Sequence, residues 1–98
     1  MTPVTVLLCV LLWARDGEEQ TLVDYEDRVL ALLPDHGALV RQRVRSDGGD
    51  GAPLEMHVLE FPSQAALDAY MAVERRVALS ALRERGIART QVLRVEAV

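Results

Sequence analysis

Two side chains in this sequence, Glu74 and His57, combine acid–base chemistry with apolar surroundings. Glu74 falls near the middle of the apolar side of a helix predicted over residues 64–85, with Met71 and Val77 on the same side. A carboxylate held against an apolar sheet has a raised pKa unless a partner compensates it, so Glu74 is a candidate general acid or base. His57 lies in the middle of a predicted strand, and histidine is the usual proton carrier near neutral pH. The alternatives are structural: Glu74 paired with an arginine or a backbone amide at a helix distortion, and His57 as a hydrogen-bonded core or interface residue.

Other residues have the chemistry to hold a ligand. Trp13, Tyr25 and Tyr70 are three of only four aromatic residues, and both tyrosines lie on the inward faces of predicted helices. Their rings and hydroxyls are suited to lining a pocket for an aromatic compound, and ordinary core packing is the alternative. Gln42 is a candidate for polarising a carbonyl group, as is His57.

A row of arginines follows one predicted strand at positions 41, 43 and 45. We interpret this row as an ion-pair stripe with Glu55 and Glu96, and the alternative is that Arg43 binds an acidic substrate. His36 lies in a Pro-Asp-His-Gly turn, and the two histidines are far apart in the sequence. Their spacing predicts no metal site.

Six elements position these residues. Strands are predicted over residues 4–13, 38–45, 54–61 and 90–98, and helices over residues 18–33 and 64–85. Pro34 and Gly37 end the first helix, Ser63 begins the second as an N-cap, and Gly86 ends it as a C-terminal cap. The order β-α-β-β-α-β predicts an α+β, ferredoxin-like fold, with both helices on one face of a four-stranded antiparallel sheet.

The first strand is apolar on both of its faces, from Val6 to Trp13. Helices can cover only one side of the sheet, whereas a strand with one wet face should alternate apolar and polar residues. The uncovered side is therefore expected to meet a second sheet, and for a chain this short that means a second copy. We predict a homodimer that pairs its sheets as an α/β barrel.

The pairing of the two middle strands decides which face His57 occupies. Pairing Arg43 with His57 also pairs Arg45 with Glu55 and Leu39 with Phe61, which brings opposite charges together. In this register we expect His57 on the dimer side, away from the helices. A slip of one residue reverses the faces, and the sequence leaves both possibilities open.

Composition limits the function classes. The 98 residues predict one domain spanning residues 1–98, and 11 basic residues against 15 acidic ones give a net charge of −4, which argues against nucleic-acid binding. Cys9 is the single cysteine, so an internal disulfide is excluded. The apolar run before Trp13 is too short to span a bilayer and lacks the flanks of a signal peptide. We predict a cytoplasmic protein without membrane contact.

The segment Glu60-Phe61-Pro62-Ser63, followed by a helix with Tyr70 and Glu74, resembles the dimeric α/β-barrel superfamily. It is most similar to a subfamily of unknown function that carries the Glu-Phe-Pro-Ser motif, and Val95-Glu96 matches the last strand of that pattern. Ala72-Val73 replaces the usual Ser-Pro, and Gln42 replaces a common arginine. The resemblance implies a pocket between sheet and helices, and a superfamily that includes cofactor-free monooxygenases, haem-degrading enzymes, polyketide cyclases and isomerases.

The function predicted from the residues and the resemblance together is a cofactor-independent enzyme of secondary metabolism. It would catalyse cyclase- or isomerase-type proton transfer on a small apolar or aromatic metabolite, for instance a polyketide-like compound. A non-catalytic dimer that binds a ligand or accompanies a pathway is the alternative, and a cofactor-free monooxygenase is a second one. The monooxygenase and haem-degrading relatives generally use asparagine, and the chain contains none.

Overall fold

The computed structural model describes residues 5–98 and has the predicted order of elements. The strands are β1 (Val6–Ala14), β2 (Leu39–Arg45), β3 (Glu55–Phe61) and β4 (Ile87–Val95). The helices are α1 (Glu19–Leu30), α2 (Gln64–Ala72), α3 (Glu74–Val77) and α4 (Ser80–Gly86). Val4, where the first strand was predicted to begin, lies outside the described residues.

The four strands form one antiparallel sheet in the order β2-β3-β1-β4. The helices cover one face of this sheet, which confirms the predicted ferredoxin-like fold. Residues on the covered face of β1 alternate with residues on the open face, so Val6, Leu8 and Leu12 are buried while the side chains between them are only partly covered. Among residues 5–98, no helix is long and apolar enough to cross a membrane.

Local signals place several element ends as predicted. Ser63 caps α2, because its side-chain oxygen accepts a hydrogen bond from the Ala66 amide at 3.1 Å. After α1, a short 3-10 turn over Leu33–His36 contains Pro34 and ends at Gly37, whose φ of 69° is left-handed. These ends fix where the chain leaves the helix layer and returns to the sheet.

The second predicted helix is not continuous, so the prediction of one helix over residues 64–85 is wrong. Val73 is extended, with φ −62° and ψ 135°, and it separates α2 from α3. Gly86 is the last residue of α4 and Ile87 is the C-cap, so the prediction of Gly86 as the C-terminal cap is wrong. A side chain at this position would approach the backbone nitrogen of Leu22 to 2.8 Å, so Gly86 lets α4 lie directly against α1.

Two apolar clusters fill the space between helices and sheet. One surrounds Phe61 and Tyr70 and the other surrounds Tyr25 and Leu22, and the side chain of Val10 packs against both. The open face of the sheet is also apolar. It carries the exposed side chains Leu39, Val44, Met56, Leu93 and Val95, which the strand register places on the same side as Leu7, Cys9 and Leu11.

Candidate active site

A cavity of about 320 Å³ lies between the covered face of the sheet and the helices. Its wall is mostly apolar, with Leu8, Val10 and Leu12 of β1 on the sheet side and Val29 of α1 among the residues on the helix side. The polar side chains in the wall come from every layer: Tyr25, Glu26, His57, Asp68, Tyr70, Arg76, Arg83 and Thr90. Such a chamber, largely apolar with a few converging polar groups, is the usual form of a small-molecule site.

Glu55 organises one side of this site from a fully buried position. Its carboxylate accepts hydrogen bonds from Nε of Arg43 at 2.8 Å and Nη2 of Arg45 at 2.6 Å. It also bonds Nε2 of His57 at 2.7 Å. Burial alone would raise the pKa of Glu55, but the bonds from His57, Arg43 and Arg45 hold it down at about 2.

The ionised state of Glu55 fixes the orientation of His57. A carboxylate is an acceptor only, so Nε2 of His57 must carry a proton and donate it. None of the side-chain hydrogen bonds among residues 5–98 uses the other ring nitrogen, Nδ1. Since His57 is 1% exposed and lines the cavity, Nδ1 is the nitrogen left for a ligand.

Glu26 is the second acid–base group in the wall, and it lies on α1. Its side chain is buried, at 6% exposure, and no ion pair among residues 5–98 includes it. Burial raises the pKa of Glu26 to about 7, against the opposing influence of His57. A carboxyl group with this pKa exchanges its proton readily near neutral pH, which is what a general acid or base requires.

An ion pair next to Glu26 holds α1 in place over the sheet. Arg43 reaches across from β2, and its Nη1 donates to Oδ1 of Asp27 at 2.7 Å while its Nε stays on Glu55. Asp27 follows Glu26 on the helix, so the same arginine joins the helix that carries Glu26 to the carboxylate that orients His57. Arg43 therefore connects α1 to the buried pair of Glu55 and His57.

The two tyrosines differ in how free their hydroxyl groups are. Tyr70 donates to the backbone oxygen of Val29 at 3.0 Å, and burial raises its pKa to about 12 against the hydrogen bond and the charge of Arg76. Its hydroxyl is committed to the helix, so its ring forms the wall. Tyr25 is buried at 2% exposure, and burial also raises the pKa of its hydroxyl, which stays protonated at neutral pH.

The structure brings some sequence-predicted candidates together and separates others. Tyr25, His57 and Tyr70 meet at the cavity, whereas Gln42 is exposed on the open face of the sheet. Trp13 also lies on the open face, where it donates to the Gly51 oxygen at 2.8 Å and the Arg89 guanidinium stacks 4.4 Å from its ring centroid. Neither Gln42 nor Trp13 lines the chamber under the helices.

The predicted arginine stripe is found in part. Arg43 and Arg45 pair with Glu55 as expected, and Arg41 pairs with Glu60. The alternative role of Arg43 as a substrate ligand has no geometry to support it, because two acidic side chains already occupy its guanidinium. Among residues 5–98, no group of three or more histidine, cysteine or acidic side chains is arranged to hold a metal ion.

The expected burial of Glu74 is wrong. It is exposed and begins α3, because the break at Val73 interrupts the helical spacing that had placed it on the apolar side. The distortion weighed as the structural alternative is present. The cavity wall takes Arg76 from this segment instead.

His57 lies under the helices, so the dimer-side placement is wrong. Arg43 does pair with His57 and Arg45 with Glu55, but an irregularity between Val40 and Gln42 shifts Leu39 to Glu60. The face follows from β1, where Val10 pairs with His57. Phe61 shares the parity of His57 and is fully buried, so burying this large ring brings His57 to the covered side.

Sequence reasoning missed Glu26 and Arg76. Glu26 lies four residues after Leu22 and three before Val29, which is the spacing of the apolar side of α1. The criterion applied to Glu74 would therefore have found it. No comparable signal marks Arg76, because its orientation depends on the break in the helix.

Comparison with known proteins supports the fold. No protein-family model and no curated protein matches the chain. Among solved structures, PA3566 from Pseudomonas aeruginosa is 15% identical with a TM-score of 0.78, covering 100% of this chain and 98% of the other. A dimeric protein of unknown function with a ferredoxin-like fold from Bacteroides fragilis is 17% identical, with a TM-score of 0.69 and coverages of 95% and 96%. A proposed antibiotic biosynthesis monooxygenase from Caulobacter crescentus is 20% identical, with a TM-score of 0.69 and coverages of 99% and 92%.

Proposed function

We propose that this chain is a cofactor-independent enzyme that moves protons within a small, largely apolar compound, as cyclases and isomerases do. The observation that carries the proposal is the presence of Glu26 and His57 in the wall of one apolar cavity. The pKa values of the two glutamates of the site are shifted in opposite directions by their environments. The pKa of Glu55 is lowered to about 2 and that of Glu26 is raised to about 7. Two carboxyl groups whose pKa values differ in this way are typical of sites with paired acid–base roles.

In the proposed mechanism, Glu26 takes a proton from a carbon next to a carbonyl group and returns it to another position. His57, protonated on both ring nitrogens, donates from Nδ1 to the carbonyl oxygen, while the ionised Glu55 accepts from Nε2, fixes the ring and stabilises its positive charge. Tyr25 lines the same wall with a protonated hydroxyl that is able to donate to the substrate. The apolar wall keeps the reacting groups away from water, which strengthens these interactions.

The substrate class is a ring compound small enough for a chamber of about 320 Å³. A polyketide-like intermediate of secondary metabolism, handled in the cytoplasm, fits this chemistry because its ketone groups acidify neighbouring carbon–hydrogen bonds. The second candidate is a cofactor-free monooxygenase. It is favoured by the description of the similar Caulobacter crescentus protein. Oxygen uptake during turnover would distinguish it from proton transfer alone.

The exchange of carbon-bound protons for deuterium tests the proposal directly. We would incubate 2-tetralone, a bicyclic ketone, with the protein in D2O and follow the loss of its proton signals by NMR. The wild type should accelerate exchange over buffer, and Glu26→Gln should lose about 100-fold or more of the acceleration. The rate should rise with pH through about 7, as Glu26 becomes ionised and able to act as a base.

Glu19→Gln is the matched control, because it removes an exposed carboxylate from the same helix. Its exchange rate should equal that of the wild type. A wild type no faster than buffer, or a Glu26→Gln variant as fast as the wild type, would contradict the proposed role. If Glu74→Gln lost the exchange and Glu26→Gln kept it, Glu74 and not Glu26 would be the base.

We also propose that two copies of this chain pair through the open faces of their sheets. The apolar side chains on that face support the proposal, since Leu93 is 43% exposed, Met56 41% and Leu39 46%. The similar Bacteroides fragilis protein is described as dimeric. Such pairing also explains why β1 is apolar on both sides.

Sedimentation velocity tests the dimer. The wild type should sediment as a dimer, and Leu93→Asp should shift it to a monomer by placing a charge on the apolar open face of the sheet. Val77→Asp is the matched control, because Val77 is 54% exposed on α3, away from the sheet. A wild type that remains a monomer at high concentration, or equal behaviour of the two variants, would overturn the pairing.

A further inference from the structure

We infer that the compound bound in the cavity carries a carboxylate group, and that Arg76 binds it. The inference rests on the proposed function and makes it more specific, since it names the polar group of the substrate. Three observations support it: the position of Arg76 in the cavity wall, the absence of an ion pair to Arg76 among residues 5–98, and the presence in the same wall of Thr90, whose hydroxyl has no hydrogen-bond partner among these residues.

The hydrogen bonds and ion pairs of Arg76 differ from those of the preceding residue, Arg75. Nε of Arg76 is buried and has no hydrogen-bond partner among residues 5–98, and no ion pair among these residues includes Arg76. The preceding residue, Arg75, is exposed and pairs with Asp35. Buried polar groups are almost always hydrogen-bonded, so an unpartnered Nε on a side chain that lines the cavity shows that this guanidinium keeps hydrogen-bonding capacity that a ligand could use.

The surroundings hold the guanidinium in place and satisfy it only in part, since Tyr70 interacts with Arg76 through its hydroxyl and its ring while Nε has no partner among residues 5–98. Its central carbon lies 5.2 Å from the ring centroid of Tyr70, so the ring supports its charge. Two acidic residues, Glu26 and Asp68, share the cavity wall with Arg76, and neither forms an ion pair with it. Arg83 adds a second positive charge to the wall. No ion pair among residues 5–98 includes Arg76 or Arg83, so these are the two side chains of the wall that could bind an anion.

Thr90 provides the second contact. It lies on β4 opposite Leu12, and its hydroxyl oxygen is buried without a hydrogen-bond partner among residues 5–98. Thr90 and Arg76 both line the cavity. A carboxylate accepts hydrogen bonds from both guanidinium and hydroxyl groups, whereas a hydrocarbon would leave both unsatisfied. The rest of the wall is apolar, so the matching ligand is an apolar ring system that bears an acid group.

A pair of isosteric probes tests this inference. We would titrate the protein with 2-naphthoate and with 2-acetylnaphthalene, which replaces the carboxylate by a neutral methyl ketone, and measure affinities by calorimetry. The wild type should bind the acid about 10- to 100-fold more tightly, which is the usual effect of one charge-assisted hydrogen bond. Arg76→Gln should abolish this preference, while Arg75→Gln, which removes the neighbouring outward-facing charge, should keep it.

Further variants separate a lost contact from a damaged fold. Arg76→Lys keeps the charge and should retain part of the preference. Thr90→Val should weaken binding of the acid more than binding of the ketone, because the hydrogen bond to a carboxylate is the stronger one. Equal binding of the two probes by the wild type, no binding of either, or a preference that survives in Arg76→Gln would overturn the inference. Circular dichroism of each variant shows whether it is folded.

The outcome is independent of the proton-transfer step. If 2-tetralone exchange is not catalysed but the acid preference depends on Arg76, the proposed reaction fails and the carboxylate site stands. If exchange depends on Glu26 but the two probes bind equally, the reaction stands and the carboxylate site fails.

Discussion

Replacing Glu26 with glutamine should make the protein more stable in mildly alkaline solution, by a margin that disappears in acid. Burial raises the pKa of Glu26 from 4.5 to about 7, with His57, Arg76 and Arg43 opposing the rise and Glu55 adding to it. Between these values the folded protein holds a proton that the unfolded chain releases. Stability therefore falls as the pH rises from about 4.5 to about 7.

The size of the effect follows from the displacement of the pKa. Each pKa unit corresponds to about 1.4 kcal/mol, so the ionisation of Glu26 costs the folded state roughly 3 kcal/mol above pH 7. Glutamine resembles the protonated carboxyl group and does not ionise. The variant should match the wild type near pH 4.5 and exceed its stability by roughly 3 kcal/mol at pH 8.

Urea unfolding at pH 4.5, 6 and 8, at one fixed protein concentration, measures this difference. Fixing the concentration matters because dimerisation contributes to apparent stability. Glu19→Gln serves as the control, since an exposed substitution should change the free energy of unfolding by less than about 0.5 kcal/mol at each pH. A Glu26→Gln advantage that stays constant across the three pH values would refute the argument that Glu26 is buried without a compensating partner.

Three further substitutions test the elements that hold the site. Glu55→Gln should lower the free energy of unfolding at pH 7 by about 3 kcal/mol, measured with urea. Because the pKa of Glu55 is lowered to about 2, the wild type should lose this stabilisation as the pH falls from about 4.5 towards 2. Gly86→Ala should cost about 1–3 kcal/mol, since the added carbon approaches the Leu22 backbone nitrogen to 2.8 Å, and no change in melting temperature would contradict this contact. Tyr70→Phe should cost about 1 kcal/mol through the lost bond to Val29, and an unchanged melting temperature would show that this bond does not contribute.

Much of the fold is predictable from the sequence because its signals are local. Pro34 and Gly37 mark a helix end, Ser63 marks a helix start, and β1 is apolar on both faces. Together these signals define the order of the elements even where one element by itself is ambiguous. The order of strands and helices then leaves few arrangements of the sheet.

The break at Val73 is not predictable in the same way. Residues 64–85 contain few residues that oppose a helix, and the local sequence favours one continuous element. After the extended Val73, the chain continues through α3 and α4 and brings Gly86 against α1. A tertiary contact here overrides the local preference, and the sequence alone shows neither partner of that contact.

The face of the sheet on which His57 lies is determined by strand pairing and side-chain packing together. The favoured pairs with Arg43 and Glu55 were correct, yet the face assigned to them was wrong. Register alone cannot choose a face, because both strands can be turned over together. The burial of Phe61, which shares the parity of His57, makes that choice.

The same break determines the chemistry of the cavity. On a continuous helix, residues 74 and 76 are about 200° apart, so an inward Glu74 would require an outward Arg76. The extended Val73 reverses this arrangement and places the carboxylate in solvent and the guanidinium in the wall. The helix that was expected to supply the base therefore supplies a cation, and the proposed base, Glu26, lies on α1. A site with a base from one helix and a cation from the other is suited to an acidic ring compound, because the cation holds the acid group while the base acts on carbon.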